Sequence, residues 1–240
     1  MFERKLELVE NPPIVKIENL TKRFDLVTAL DHVNLEIPEG RIIGLLGANG
    51  SGKTTLLKIL AGLYTDYEGN VTIDGHRPGH ETKARVSYLP DRPAFSLKQT
   101  PAEILEIYET FFADFNKEKF LALMEKFELE LHTPFTEMAK GMSDKVQISF
   151  TMAREARLYL LDEPLGGVDA VAREHVLDAI LENFDSRGTI VVATHLISEI
   201  ERLFDSVMVL KKGQIVMDSS CDDIRMEYDA TLEEAMKAVF

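Results

Sequence analysis

Gly47-Ala48-Asn49-Gly50-Ser51-Gly52-Lys53-Thr54-Thr55 decides how the rest of this chain is read. The stretch fills G-x-x-x-x-G-K-[ST] at every defined position. It sits between the apolar run Ile42-Ile43-Gly44-Leu45-Leu46 and the helix-patterned Leu56-Leu57-Lys58-Ile59-Leu60-Ala61. Its glycines let the backbone turn tightly enough to aim successive N–H groups into one concavity. A helix opening at Thr54 adds its positive end, so the loop suits a polyphosphate. In such a loop Lys53 reaches the β- and γ-phosphates and the Thr54 hydroxyl ligates Mg²⁺.

The 240 residues suffice for one large α/β domain or two small ones, and a 45% hydrophobic content supports an ordinary globular core. Twenty-seven basic residues against 41 acidic ones, a net charge of −14, oppose binding to nucleic acid or directly to anionic lipid. The single cysteine, Cys221, has no partner for an internal disulfide and no neighbouring His for a metal site, which fits a reducing, cytoplasmic setting. No window approaches eighteen apolar residues, and Met1 to Glu10 is charged rather than basic-then-apolar. A membrane role therefore has to come through another chain.

Outward from the loop, Ile14 to Glu18 and Val33 to Ile37 alternate apolar with polar, as half-exposed antiparallel strands do. Gly69 to Gly75 and Arg85 to Pro90 read as further short strands. From about residue 95 to 155 the pattern turns helical: Thr100-Pro101 is an N-cap followed by proline at the first helical position. Ile104, Leu105, Tyr108, Phe111 and Phe112 then recur at helical spacing, and a second helix runs through Phe120 to Phe127. Most of the phenylalanines crowded between Phe111 and Phe135 belong in the core, and an excess of exposed aromatic surface would mark a protein-binding face. Leu158 to Leu161 resumes the strands, a helix follows from about Ala170 to Phe184, and Thr189 to Thr194 is a β-branched central parallel strand. A hairpin around Lys212-Gly213 and an acidic helical tail, about residues 219 to 240, close the chain. Strands alternating with helices mean a doubly wound sheet.

Asp162-Glu163 follows the strand Leu158 to Leu161. Asp162 at that tip can bind Mg²⁺ through water, and Glu163 can polarise a water toward a γ-phosphate. His195 directly follows Thr194, where open α/β sheets place their ligands, and could contact the γ-phosphate.

The order of Gly47 to Thr54, the helical insertion, Met138-Ala139-Lys140-Gly141-Met142, Leu158 to Glu163, Gly166-Gly167-Val168-Asp169 and His195 resembles the nucleotide-binding subunit of ATP-binding cassette (ABC) transporters, across essentially the whole chain. Ser87 to Arg92 and Leu161 to Asp169 are further similar to the YtrB-type exporters of Gram-positive bacteria. The resemblance implies a single domain with a P-loop NTPase (RecA-like) α/β core, an antiparallel β subdomain and an inserted helical subdomain. It implies ATP and Mg²⁺ as cofactors, Phe24 stacked on adenine, and Gly141 approaching the nucleotide of a second subunit. His195 becomes the switch histidine. The implied partners are a second nucleotide-binding subunit, in a homo- or heterodimer, and polytopic membrane subunits that hold the chain on the inner face of the membrane. On its residues alone, Phe24 fits equally a core phenylalanine between strands.

Two departures from the family stand out. Asp91 occupies the place of the Q-loop glutamine, where it could hold Mg²⁺ through water or repel a γ-phosphate, with Arg92 beside it to offset the charge. Ala139, Lys140 and Met142 replace the serine, a glycine and the glutamine of L-S-G-G-Q. Either main-chain N–H groups near Gly141 suffice, or a partner cassette with a complete motif serves this chain's site. The alternatives to a transporter ATPase are a soluble regulatory ATPase of the same superfamily and a metabolite kinase.

Overall fold

The computed structural model describes residues 13–93, 95–166, 168–184 and 187–239. Met1 to Glu10, Gly167 and Phe240, which entered the sequence reading, lie outside them.

The chain begins with two long strands, β1 (Val15–Phe24) and β2 (Val27–Ile37), then β3 (Ile42–Leu46), which leads through the phosphate loop into α1 (Lys53–Leu60). β4 (Glu68–Ile73) follows and pairs antiparallel with β1, giving a three-stranded sheet in the order β2-β1-β4. The alternation that marks a strand is legible only at one end of β1. Register shifts after Ile17, Leu20 and Lys22 break it, so Leu20, Thr21 and Lys22 are buried in succession. Lys22 is 2% exposed and satisfies its ammonium on the Asp66 carboxylate at 2.6 Å and carbonyl at 2.8 Å.

A single turn, α2 (His80–Lys83), precedes β5 (Val86–Leu89), and three helices then run without an intervening strand: α3 (Pro101–Phe111), α4 (Lys117–Lys126) and α5 (Lys140–Met152). Thr100 and Glu103 form a capping box at the start of α3. The phenylalanines here divide as their spacing dictates. Phe120 and Phe150 stack with centroids 4.1 Å apart inside a cluster that also takes Ile104 and Phe135, while Phe111 on the outer side of α3 is 75% exposed. Arg154, just past α5, ties these helices to the rest of the chain. It is 3% exposed; its Nε reaches both Asp114 oxygens at 2.7 and 2.8 Å, an Nη donates to the Lys83 carbonyl, and its guanidinium lies 4.0 Å from the Phe112 ring centroid.

β6 (Leu158–Asp162), α6 (Ala170–Glu182), β7 (Thr189–Thr194), the short α7 (Ile197–Ile200), β8 (Ser206–Lys211) and β9 (Gln214–Ser220) complete a second sheet in the order β5-β6-β7-β3-β8-β9, parallel except for β9. β3, β6 and β7 are buried at every position, as a sheet covered on both faces requires. One face packs with α1 against the antiparallel sheet, the other against α6 and the chain's last helices. The acidic tail is two helices rather than one. α8 (Cys221–Tyr228) stops at Asp229, which has φ 47°, and α9 (Leu232–Val239) returns to bury Leu232, Ala235 and Met236.

Candidate functional site

Because β7 lies between β6 and β3, the carboxyl ends of the three strands present Asp162-Glu163, Thr194-His195 and the phosphate loop side by side. The segment beyond β5 adds Asp91. Asn49 to Thr55, Asp91, Glu163, Gly166 and His195 line one cleft of about 540 Å³. Its remaining wall is Val27 to Ala29, at the start of β2, with Lys212 and Gly213 in the β8–β9 turn.

The loop holds itself open by close backbone approaches. Gly52 caps α1 with φ 113°, and a Cβ there would stand 2.5 Å from the Ala29 carbonyl oxygen, so neither conformation nor space admits a side chain. The β8–β9 turn braces the other side, Gly213 N–H donating to the Ser51 carbonyl at 2.9 Å. Lys53 is 6% exposed and folds back, its ammonium donating to the carbonyls of Gly47 at 2.7 Å and Ala48 at 3.3 Å. Burial lowers its pKa, and the charges of Glu163 and Asp162 oppose that shift.

Thr54 Oγ1 donates to Asp162 Oδ1 at 3.1 Å, joining the first turn of α1 to the tip of β6, and the Tyr88 hydroxyl stands 3.5 Å from the other Asp162 oxygen. Asp162 is 1% exposed, and desolvation raises its pKa, with the charges of Asp91 and Glu163 adding to the effect. Among the described residues no three His, Cys, Asp or Glu side chains are arranged to hold a metal by themselves. A hydroxyl and a desolvated carboxylate at 3.1 Å are nonetheless an all-oxygen pair, which suits a magnesium ion whose other ligands are water and phosphate.

Glu163 has φ 52°, unusual for a residue with a side chain, and its backbone N–H is fastened to the Ala193 carbonyl at 2.8 Å. His195 Nδ1 lies 2.9 Å from Glu163 Oε1, Thr194 Oγ1 donates to Oε2 at 3.2 Å, and Lys53 Nζ is 3.8 Å from Oε1.

Other residues singled out in the sequence stand apart from this cleft. Phe24 is 38% exposed at the end of β1, edge-on to Tyr64 and with the Lys22 ammonium 4.5 Å from its ring centroid. It is therefore not a core residue, and it pairs across the β1–β2 turn with Val27, a residue of the cleft wall. Gly141 lies in the first turn of α5, away from the cleft, where Ala139 is the helix's N-cap and supplies no side-chain bond. Lys140 Nζ stands 3.5 Å from the Gly166 carbonyl. Sequence reasoning had not marked Tyr88, Thr194, Val27 to Ala29, or the role of Lys212-Gly213 as a brace. Thr194 neighbours His195 and Tyr88 falls within Ser87 to Arg92, whereas Val27 to Ala29 and Lys212-Gly213 meet the loop from distant parts of the chain.

Residues 30–166 match the ABC transporter family model. An uncharacterized ABC transporter ATP-binding protein of Methanocaldococcus jannaschii is 34% identical over 88% of this chain and 79% of its own length. The SkfA peptide export ATP-binding protein of Bacillus subtilis is 27% identical over 85% and 88%. Among solved structures, the ATP-binding subunit of an ABC transporter superposes with a TM-score of 0.82 at 27% identity, covering 94% of this chain and 98% of that one. A dimeric ATP-binding cassette bound to ADP and Pi, in a post-hydrolysis state, gives 0.75 at 25% identity over 86% and 98%.

Proposed function

The chain belongs to the ABC transporter family of ATPases, and on that premise we propose that it is the ATP-hydrolysing subunit of a membrane exporter, working as one of a pair of cassettes on the inner face of the membrane. The observation that carries this reading is the meeting of the phosphate loop, Asp162-Glu163 and His195 at three adjacent strand ends.

In this reading the loop N–H groups and the amino end of α1 receive the β- and γ-phosphates. Lys53 exchanges the Gly47 and Ala48 carbonyls for phosphate oxygens, an inexpensive move for a buried ammonium that already faces the cleft. Thr54 and Asp162 would hold Mg²⁺, whose charge would offset that developing on the phosphate oxygens. Glu163 accepts a proton from the attacking water, and His195, hydrogen-bonded to it, faces the γ-phosphate. Asp91 shares the cleft wall and adds to the cost of an ionised Asp162, a cost that a bound cation would offset. Phe24, beyond the Val27 to Ala29 wall, receives the adenine, and Gly141 meets the nucleotide of the second cassette.

The cassette pair is supported by the dimeric neighbour. Export is supported by the peptide-export relative, and dependence on separate membrane subunits by the absence, among the described residues, of a helix long and apolar enough to cross a membrane. Phosphate release and nucleotide binding, measured on the same preparations, test the site. Glu163→Gln keeps ATP binding and loses hydrolysis by about 10²–10⁴-fold, and Lys53→Ala loses binding. Parental turnover in Glu163→Gln would remove Glu163 from the chemistry. Affinity capture from native membranes tests the transporter assignment, which predicts a copurifying polytopic protein.

A further inference from the structure

We infer that Thr194 is a positioning residue for the Glu163 carboxylate, fixing the plane in which it meets water; this rests on Glu163 being the proton acceptor proposed above. Three consecutive residues at the end of β7 each fasten a different atom of Glu163. The Ala193 carbonyl takes its backbone N–H at 2.8 Å, Thr194 Oγ1 donates to Oε2 at 3.2 Å, and His195 Nδ1 meets Oε1 at 2.9 Å.

Thr194 is placed for this task by its own bonds. It is 2% exposed, and its hydroxyl accepts the Leu196 N–H at 3.0 Å, so that its one proton is directed to Glu163. Glu163 needs such a fastening more than an ordinary glutamate does. Its left-handed backbone, φ 52°, is a conformation that persists only where the surroundings over-determine it, and a carboxylate held at one oxygen alone could still rotate about its last bond. Thr194 adds the second point that stops the rotation. Thr194 is not among the residues that line the cleft, and its hydroxyl acts on the reaction through Glu163.

The experiment measures kcat, KM for ATP and melting temperature for Thr194→Val and Thr194→Ser, in the wild-type chain and in the Glu163→Gln background, with single-turnover phosphate release where rates are low. A hydrogen bond to a charged group is worth about a tenfold or larger factor, so Thr194→Val lowers kcat by roughly tenfold or more with KM within about twofold. Thr194→Ser, which keeps the hydroxyl, stays within about threefold of wild type. In the Glu163→Gln background Thr194→Val adds less than about twofold, because the group it positions is gone. A merely structural role would instead cost the same factor in both backgrounds and lower the melting temperature and ATP affinity alike. If Thr194→Val does not accumulate as folded protein, Thr194→Ala is read the same way.

Wild-type kcat in Thr194→Val, an equal loss in both backgrounds, or a Thr194→Ser variant as slow as Thr194→Val overturns the inference. A damaged Glu163→Gln beside an undamaged Thr194→Val overturns this inference alone, whereas an undamaged Glu163→Gln overturns the reading of Glu163 and this inference with it.

Discussion

Replacing Arg154 with leucine removes a buried cation from the place where the three consecutive helices meet the rest of the chain. The side chain is lost from two short bonds to Asp114, from the Lys83 carbonyl and from the Phe112 ring face. Breaking a buried pair by deleting one partner costs about 3–5 kcal/mol, most of it from the charge left behind. The Asp114 side chain retains 20% exposure, so water recovers part of that cost. The unpaired Lys83 carbonyl adds about 1 kcal/mol, and leucine returns a little through burial. The balance is a loss of about 3 kcal/mol, or a melting temperature lower by roughly 6–12 °C for a domain of this size. Thermal unfolding followed by circular dichroism, with and without nucleotide, reads it. A second arm isolates the cause: Arg154→Leu combined with Asp114→Leu removes the stranded charge and regains about half of the loss. A fall below about 2 °C, or a double variant no more stable than Arg154→Leu, would refute the reasoning.

Asp162→Asn is expected to stabilise the nucleotide-free chain while abolishing Mg²⁺-dependent hydrolysis, because burial penalises the ionised carboxyl that the reaction uses. The folded chain holds the Asp162 proton more tightly than the unfolded chain does. The stability that proton contributes is complete below the ordinary carboxylate pKa and is lost as pH rises through the folded value, so the advantage of Asn over Asp in melting temperature widens from about pH 4 upward. Ala139→Ser supplies the N-cap that α5 lacks, raising the melting temperature by about 2–4 °C. It also raises basal ATPase severalfold with stronger nucleotide-dependent dimerisation; a more stable variant with unchanged activity would favour a site built from backbone N–H groups alone.

The fold class was legible because its strongest signals are local: the all-apolar β3, the β-branched β7 and the capping box at Thr100 each identify themselves within a few residues. What escaped was set by tertiary packing. α5 is buried continuously from Val146 to Met152, where polar Gln147, Ser149 and Thr151 alternate with apolar residues, so no helical period separates it in the sequence from the helices before it. β1 and β2 run far beyond their alternating ends because register shifts between them break the period of two. Motifs named residues of the cleft where a short pattern carries the chemistry, as at Gly47 to Thr55, Glu163 and His195. Val27 to Ala29 and Gly213 face the loop, and Tyr88 faces Asp162, from strands and a hairpin whose local patterns say nothing of what lies opposite them.

Among the described residues, the strand that carries the phosphate loop pairs with β7 and β8, which begin at Thr189 and Ser206. While the chain is being made, Ile42 to Leu46 emerges early with both hydrogen-bonding edges open. At roughly 5–20 residues per second, its neighbours follow after a delay on the order of ten seconds. In that interval the chain already contains the complete loop and, toward its end, Asp162 and Glu163, yet β3 and β6 have nothing between them. The cleft between these strand ends is therefore complete only after β7 has been made. A fully apolar strand with two free edges is also the segment a growing chain most needs to have shielded.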